Sequence, residues 1–294
     1  MNTIRGFITA ISERHAMVPD GEHRRRIGDH SMVRTWMKGL TNLNPKPRVR
    51  VPSWDLEVVL SALKKPPFYP LKDASLKHLT LRTAFLLALT SARRASEVHA
   101  LRHDTLQWKQ DCVYAFADEQ FLPKVATDWH VNQQIAFPAM RGNAELRKLC
   151  VRTALSVYLK RTTMLRASAG SSNQLLLCYG GKQKGHPVST QRLSKWLQLT
   201  VKTAYELAGL PLPAVKGHQV RKQATSWAEL AGVTPADICK AATWSSKSTF
   251  AQHYRLQLLH DSDTALGRRV IQLSASSSAE RALQRRLGTT ALHQ

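Results

Sequence analysis

Residues 76–90 are the feature that most restricts how this chain can fold. They are apolar around most of a helical circumference, and residues 85–89 form the longest apolar run, between Arg82 and Arg93. A helix of this kind has to be covered on several sides, which predicts a buried central helix with other helices packed around it. The run is far shorter than the roughly 18 apolar residues of a membrane span, so no transmembrane helix is predicted.

Helical spacing of apolar residues recurs along most of the chain, and caps mark where several helices begin or end. Two short segments read as strands that flank a polar reversal, which predicts a small β-hairpin or meander. The predicted fold class is therefore mainly α, an α+β protein with one small β element. The predicted helices are residues 3–13, 31–43, a segment capped by Ser53 and stopped by Pro66-Pro67, 76–90, 143–163, a segment capped by Ser189 and closed by Gly209, 218–231, and one opened by Thr234 and Pro235; the predicted strands are residues 112–117 and 134–139.

Residues 44–52 are the predicted domain linker, because they are too rich in proline for a helix and too basic for a core. They separate a short helical domain, residues 1–43, from a larger domain, residues 53–273. A tail rich in Ser, Ala and Arg, residues 274–294, follows as a mobile arm or a lone helix. The four cysteines include no closely spaced pair, which argues against a zinc site or a disulfide framework.

The charge of the chain predicts a polyanionic partner, nucleic acid before an anionic membrane surface. Its 43 Lys and Arg against 20 Asp and Glu give a formal charge of +23. No glycine-rich phosphate loop is present, so nucleotide-driven chemistry is not predicted. Any single basic residue is as readily explained by solvation as by a phosphate contact. The basic residues assigned to DNA contacts are Arg24, Arg25, Arg26, Arg48, Arg50 and Lys216.

Two segments place charged residues where a core pattern does not need them. Arg94 and Glu97 follow the central helix. A guanidinium held rigidly at this point can donate paired hydrogen bonds to a phosphate. His218 and Arg221 are three residues apart, so they share one face at the start of a helix whose free N–H groups favour an anion. Each segment alone has a plain structural explanation, as a helix cap or as solvated side chains.

A third segment holds Trp244 and Tyr254, and the ordered set resembles the catalytic residues of the tyrosine recombinases, the phage-integrase superfamily. Residues 51–56, 79–94 and 224–228 are also similar to the recombinases of DIRS-type retrotransposons. The resemblance implies a tyrosine-recombinase catalytic domain with a small β-hairpin sheet, preceded by a shortened helical core-binding domain. The set that carries it is Arg94, Glu97, His218, Arg221, Trp244 and Tyr254.

The resemblance implies a reaction without metal, cofactor or ATP. Tyr254 attacks a scissile DNA phosphate, which leaves a 3′-phosphotyrosyl bond and a free 5′-hydroxyl, and the hydroxyl of a second strand reverses the step. Arg94 and Arg221 clamp the non-bridging oxygens, while His218 and Trp244 donate hydrogen bonds to them.

Two further roles follow from the same resemblance. Glu97 orients either His218 or Arg94. The general acid for the leaving 5′-oxygen is a lysine on a β-hairpin turn, which is assigned to Lys124, with Lys109 as the alternative.

The sequence departs from the family pattern near its proposed nucleophile. Tyr254 lies ten residues after Trp244, where nine is commoner, so the fold has to accommodate one additional residue. Lys222 also follows Arg221 where a histidine is usual.

The expected partner is double-stranded DNA, with self-association as a dimer or tetramer on it, and with no membrane or small-molecule substrate. The resemblance implies residence in the nucleus, or in the cytoplasm if the source is prokaryotic. A catalytically silent DNA-binding derivative is the first alternative. A basic RNA- or ribosome-associated protein is the second, and it explains the charge but not the ordered residues.

Overall fold

The computed structural model describes residues 2–17, 26–45, 52–123, 134–168, 172–244 and 247–256. The chain divides into two compact units, Met1–Val49 and Arg50–Gln294. Within the described ranges no helix is both long and apolar enough to cross a membrane. The helices are α1 (Asn2–Ala16), α2 (Ser31–Leu43), α3 (Leu56–Leu63), α4 (Leu76–Ser91), α5 (Ala95–His99), α6 (Ala144–Lys148), α7 (Val151–Ser168), α8 (Thr190–Leu207), α9 (Gln219–Leu230), α10 (Pro235–Ala241) and α11 (Lys247–Thr249); the strands are β1 (Gln107–Trp108), β2 (Cys112–Ala115) and β3 (Ile135–Pro138).

The first unit contains α1 and α2, which correspond to the two helices predicted there. A 3₁₀ turn, Ile27–Asp29, precedes α2, and the Gly28 amide donates to the Ser12 hydroxyl at 2.8 Å. This hydrogen bond ties the turn to α1. The larger apolar side chains Phe7 and Trp36 remain exposed.

The second unit is built around α4, as the sequence predicts. Its residues 79–88 are buried without interruption, and α7, α8 and α9 pack against it. Ser75 caps the helix by accepting from the His78 amide. A helix apolar on most sides is therefore enclosed by helices on most sides, because only that arrangement removes its whole circumference from water.

Arg82 is the charged residue inside this apolar helix. Its side chain is fully buried and donates to the carbonyls of Leu63 and Lys148. These are the last residues of α3 and α6, whose terminal carbonyls have no partner within their own helix. Arg82 thus ties the ends of two helices to the central one.

The predicted start of α3 was wrong. The cap of α3 is Asp55, not Ser53: the Asp55 carboxylate accepts from the Glu57 amide at 2.8 Å, and its own amide donates to the Tyr205 hydroxyl at 2.6 Å. The buried Trp54 therefore stays outside the helix.

The single helix predicted over residues 143–163 is divided into α6 and α7. The Lys148 carbonyl is drawn to Arg82, and the Cys150 sulfur accepts from the Met140 amide at 3.4 Å. These tertiary contacts compete with the helical ladder at the division, and the apolar spacing gave no sign of them. Asn143 does cap α6, as predicted.

The sheet is antiparallel, in the order β1-β2-β3. Val113 pairs with Phe137, and both are buried, as are Ala115 and Ile135. The two predicted strands are confirmed with shorter bounds, so the fold class is confirmed as mainly helical with one small sheet. Strand β1 was not predicted because it has only two residues, both exposed.

The last helices follow the caps that the sequence indicates. Ser189 caps α8 and Thr234 caps α10, while Gly209 and Gly232 close α8 and α9 with positive φ. The helix predicted from residue 218 begins at Gln219. The tail predicted from residue 274 lies outside the described residues.

Candidate active site

A cleft of about 630 Å³ opens in the second unit between the start of α5, one face of α8 and the start of α9. Four of the residues assigned to catalysis from the sequence line it: Arg94, His218, Arg221 and Tyr254. Lys216, assigned to DNA contact, lines it too. The fold therefore gathers residues from four separate segments into one basic concave surface.

Glu97 is a buried carboxylate that holds the two arginines of the cleft. Its Oε1 accepts from Arg94 Nη1 at 3.2 Å, and its Oε2 accepts from the Arg94 amide at 2.7 Å. Arg221 Nη1 lies 3.6 Å from Glu97 Oε2. Of the two roles left open from the sequence, the structure places Glu97 against Arg94 and gives it no contact with His218 among the described residues.

The cluster carries more positive than negative charge. Arg93 is also buried and lines the cleft, so among the described residues three guanidinium groups lie near one carboxylate, that of Glu97. Burial, followed by the charge of Arg94, lowers the pKa of Arg221 below its ordinary value, and Glu97 offsets part of this. Because buried cations need compensating charge, an anion in the cleft would stabilise the cluster.

Arg221 is positioned for such an anion. Its Nη2 donates to the Ala242 carbonyl, whereas its buried Nε and Nη1 have no hydrogen-bond partner among the described residues. Guanidinium groups of this kind match the oxygens of a phosphate.

Trp244 packs its ring into the site. The ring centroids of Trp244 and Tyr254 are 4.4 Å apart. The Arg221 guanidinium carbon lies 4.7 Å from the Trp244 ring centroid and 5.3 Å from that of Tyr254. The indole N–H is buried and has no hydrogen-bond partner in the part of the chain that the structure describes, and Trp244 is not among the residues that line the cleft. In this structure Trp244 therefore contacts Arg221 and Tyr254 through its ring.

The segment that ends at Tyr254 is a π-helical turn over Phe250–Tyr254. The Arg255 amide donates to the Phe250 carbonyl at 2.9 Å, a spacing of five residues in place of the four of an α-helix. A π turn holds one residue more than an α turn.

Ser226 fixes the chain on both sides of this tyrosine. Its hydroxyl donates to the Tyr254 carbonyl at 3.2 Å and accepts from the Leu256 amide at 2.8 Å. Ser226 is buried in α9, the helix that also carries Arg221. The tyrosine segment is thereby held against the same helix as the arginine.

His218 is exposed at the wall of the cleft, immediately before α9. Partial burial, together with Lys222 and Lys216, lowers its pKa below 6.5. The neighbouring Gly217 approaches α8 closely: a Cβ there would lie 2.2 Å from the Ser194 hydroxyl and 3.1 Å from its carbonyl oxygen. A side chain at residue 217 would therefore press against α8 beside His218.

The lysine assigned as general acid, Lys124, lies outside the described residues. The alternative, Lys109, closes the tight turn between β1 and β2, where its amide donates to the Cys112 carbonyl at 2.9 Å. It does not line the cleft. Lys195, on α8, does line it, although the sequence did not single it out.

Most of the basic residues assigned to DNA contact also fall outside the described part of the chain. Arg26 is described: it is exposed and lies 3.5 Å from Glu13 in an ion pair. The residues outside the described ranges are Arg24, Arg25, Arg48 and Arg50.

Several residues of the site were missed by the sequence analysis. The polar face of α8 could have been found, because its members recur at helical spacing opposite the buried Leu193 and Trp196. Ser226 lies in the segment 224–228 that carries part of the family resemblance, but the sequence analysis gave it no role. The α8 residues that line the cleft include Gln191, Ser194, Lys195 and Gln198.

The fold and the cleft together define the class of protein. It is a mainly helical domain with a small antiparallel sheet, in which two arginines, a histidine and a tyrosine share one basic cleft. The sequence model of the phage integrase family matches residues 69–259. The chain belongs to this family of tyrosine recombinases.

Solved structures show the same fold. The Tn1549 transposon integrase in complex with transposon right-end DNA is 18% identical, with a TM-score of 0.53 over 92% of this chain and 79% of that chain. The XerH site-specific recombinase in its post-cleavage complex is 13% identical, with a TM-score of 0.52 over 77% of this chain, which spans 55% of that one. No curated protein sequence matches the chain.

Proposed function

We propose that this chain cleaves and rejoins duplex DNA in site-specific recombination, through a covalent bond between Tyr254 and a 3′-phosphate. The observation that carries the proposal is the cleft, where Tyr254 stands beside Arg221 in a cluster with excess positive charge. A phosphodiester supplies the negative charge that the cluster lacks. Its pentavalent transition state, which concentrates more charge on the oxygens, would be held more tightly still.

In the proposed step the phenolic oxygen of Tyr254 forms a bond to phosphorus, and the bond from phosphorus to the 5′-oxygen breaks. The phenol gives up its proton to water, and the 5′-oxygen gains one from a general acid. A free phenol has a pKa of about 10, so the positive field of Arg94 and Arg221 assists its ionisation. Attack by a 5′-hydroxyl on the phosphotyrosyl bond reverses every part of the step and rejoins the strand.

The surrounding residues bind the phosphate and position the tyrosine ring. Arg94 and Arg221 bind the non-bridging oxygens, and His218 donates a hydrogen bond to one of them. Trp244 orients the ring of Tyr254 by packing against it. The hydrogen bond from the Trp244 indole N–H to phosphate, which the family resemblance implies, stays a prediction.

Lys124 remains the proposed general acid, with Lys109 as the alternative. A 5′-sulfur leaving group needs no acid, because a thiol has a pKa of about 8.5. We therefore expect Lys124→Ala to slow adduct formation about 10²- to 10⁴-fold on the ordinary substrate and to recover on a substrate with a 5′-bridging sulfur. Single-turnover rates on both substrates measure this, and Lys109→Ala is the matched control. The opposite pattern, with sulfur rescuing only Lys109→Ala, would move the assignment to Lys109.

DNA affinity should rise as the pH falls from 7 to 5.5. The pKa of His218 is lowered in the free protein, so the ring is neutral at pH 7, and a nearby phosphate raises that pKa again. Binding then takes up a proton, and one site gives at most about a tenfold change in affinity per pH unit. The stability of the free protein should change in the opposite direction. Because the folded state lowers the histidine pKa, the free protein loses stability as the pH falls through 6.5. Fluorescence anisotropy titrations of wild type and His218→Gln at several pH values measure the effect. An equal change of DNA affinity with pH in the two proteins would contradict it.

We also propose an origin in a mobile element of the DIRS type, with residence in the nucleus and assembly as a dimer or tetramer on duplex DNA. The similarity of residues 51–56, 79–94 and 224–228 to such recombinases supports the origin. The name of the Tn1549 transposon integrase, a protein of the same fold solved on transposon-end DNA, agrees with a mobile element. Imaging of the tagged chain in a eukaryotic cell tests the location, and light scattering with and without DNA tests the assembly.

The test of the function is a nicked duplex taken from the ends of the element, incubated with the chain in the presence of EDTA and without ATP. We expect an SDS-resistant protein–DNA adduct, with the DNA attached to the peptide that contains Tyr254. Tight, salt-sensitive binding with no adduct would favour the alternative, a catalytically silent DNA-binding derivative.

A further inference from the structure

Thr243, immediately before Trp244, has a backbone conformation that does not suit threonine. Its φ is +53°, and its side chain is buried. For a β-branched residue this is an outlier, because the branched Cβ crowds the backbone in the left-handed region. Such conformations persist where the surrounding structure requires them.

The chain itself shows what usually occupies this position. The Trp244 amide donates to Cys239 O at 2.9 Å and the Thr243 amide to Lys240 O at 3.2 Å, which is the Schellman ending of α10. The same pair of bonds ends α8 and α9, and there the left-handed residue is Gly209 or Gly232.

Threonine has a contact at this position that glycine cannot make. The Thr243 hydroxyl donates to Glu97 Oε1 at 3.1 Å, in the buried interior. The same oxygen accepts from Arg94 Nη1 at 3.2 Å, and the other carboxylate oxygen faces Arg221. Thr243 thus connects the carboxylate that holds both arginines to the turn that carries Trp244.

A second connection runs through the backbone of the same turn. The carbonyl of Ala242 accepts from Arg221 Nη2. The turn over residues 242–244 therefore contacts Glu97, Arg221 and Tyr254 through three successive residues. A shift of Thr243 would move these contacts together.

We propose that Thr243 is a positioning residue for the strand-transfer step, whose hydroxyl fixes Glu97 and, through it, Arg94 and Arg221 relative to Trp244 and Tyr254. The strained backbone is retained because the hydroxyl is needed. The inference rests on the proposed function, since the groups it positions are those assigned to phosphate and nucleophile. Thr243 itself does not line the cleft.

The test compares three substitutions of Thr243 in the full chain. Thr243→Gly removes the strain and the hydroxyl together, so Tm should stay or rise while the single-turnover rate of adduct formation at saturating DNA falls about tenfold to a hundredfold. Thr243→Ser keeps the hydroxyl and should retain most of the wild-type rate. Thr243→Val keeps the branch without the hydroxyl and should lower both rate and Tm. Affinity for DNA should change little in all three.

Gly232→Thr is the matched control for strain, because it places threonine in the same motif with nothing within 4 Å of the new Cβ. It should lower Tm and leave the rate unchanged. A merely structural role for Thr243 predicts that rate and Tm fall or rise together, so a Thr243→Gly variant with the wild-type rate would overturn the proposal.

A second readout does not depend on activity. The ¹⁵N NMR signals of the Nε–H groups of Arg94 and Arg221, assigned with Arg→Lys variants, should shift or broaden in Thr243→Gly and Thr243→Val but not in Thr243→Ser. Unchanged signals in all three variants would overturn the proposal. If the wild type forms no adduct, the proposed function fails, while these signals still decide whether Thr243 positions the arginines.

Discussion

Tyr254→Phe should abolish the covalent adduct while leaving the fold and DNA binding intact. The substitution removes only the phenolic oxygen, and the remaining ring keeps its packing 4.4 Å from Trp244 and its contact with Arg221. Loss of a nucleophile lowers the rate by on the order of 10⁴-fold or more, because the bond that it forms has no substitute. The measurement is denaturing electrophoresis of the nicked-duplex reaction, with binding followed in parallel by fluorescence anisotropy.

Tyr69→Phe is the matched control for this substitution. Tyr69 is packed against the core beside Arg82 and does not line the cleft. Its variant should form the adduct at the wild-type rate. A Tyr254→Phe protein that still forms an SDS-resistant adduct would show that another residue is the nucleophile.

Glu97→Gln should produce the largest loss of stability among single changes in the cleft. The variant keeps the size of the side chain but removes the negative charge beside the buried guanidinium group of Arg221 and the half-buried one of Arg94. Removing one partner of a buried ion pair costs about 3 to 5 kcal/mol. In a domain of this size that corresponds to a fall in Tm of about 6 to 20 °C. Differential scanning calorimetry measures it.

The same variant should respond more strongly to DNA than the wild type. Phosphate supplies negative charge to the cluster, so a DNA duplex should raise the Tm of Glu97→Gln by more than it raises that of the wild type. Glu145→Gln is the matched control, because its ion pairs with Lys148 and Lys64 are at the surface, where solvent screens them. Equal losses of Tm in the two variants would contradict a buried electrostatic role for Glu97.

The candidate site was largely predictable because its chemistry needs particular residue types in a fixed order. Arg94, His218, Arg221 and Tyr254 were each ambiguous alone, but together they marked one surface. The structure brings all four to the same cleft. Their assigned roles in catalysis remain predictions that the adduct experiments test.

The role of Trp244 could not be predicted in the same way. A tryptophan can donate one hydrogen bond or present a ring, and the sequence does not say which of the two faces the site. The answer depends on the Schellman turn at Thr243, which holds the ring beside Arg221 and Tyr254. That turn uses a residue whose intrinsic preference disfavours it, so local propensity gave no signal.

By itself the sequence determined the buried helix α4, the caps at Ser189 and Thr234, the mainly helical class and the ordered set of site residues. These depend on periodicity and on contacts within a few residues, which a sequence pattern records directly. Only the tertiary structure decided the division of α6 from α7 by Arg82, and the contacts of Glu97 with Arg221 and Thr243. Those contacts join residues more than 60 positions apart. They form because packing brings otherwise unpaired buried polar groups within reach of one another, and no local pattern encodes which groups will meet.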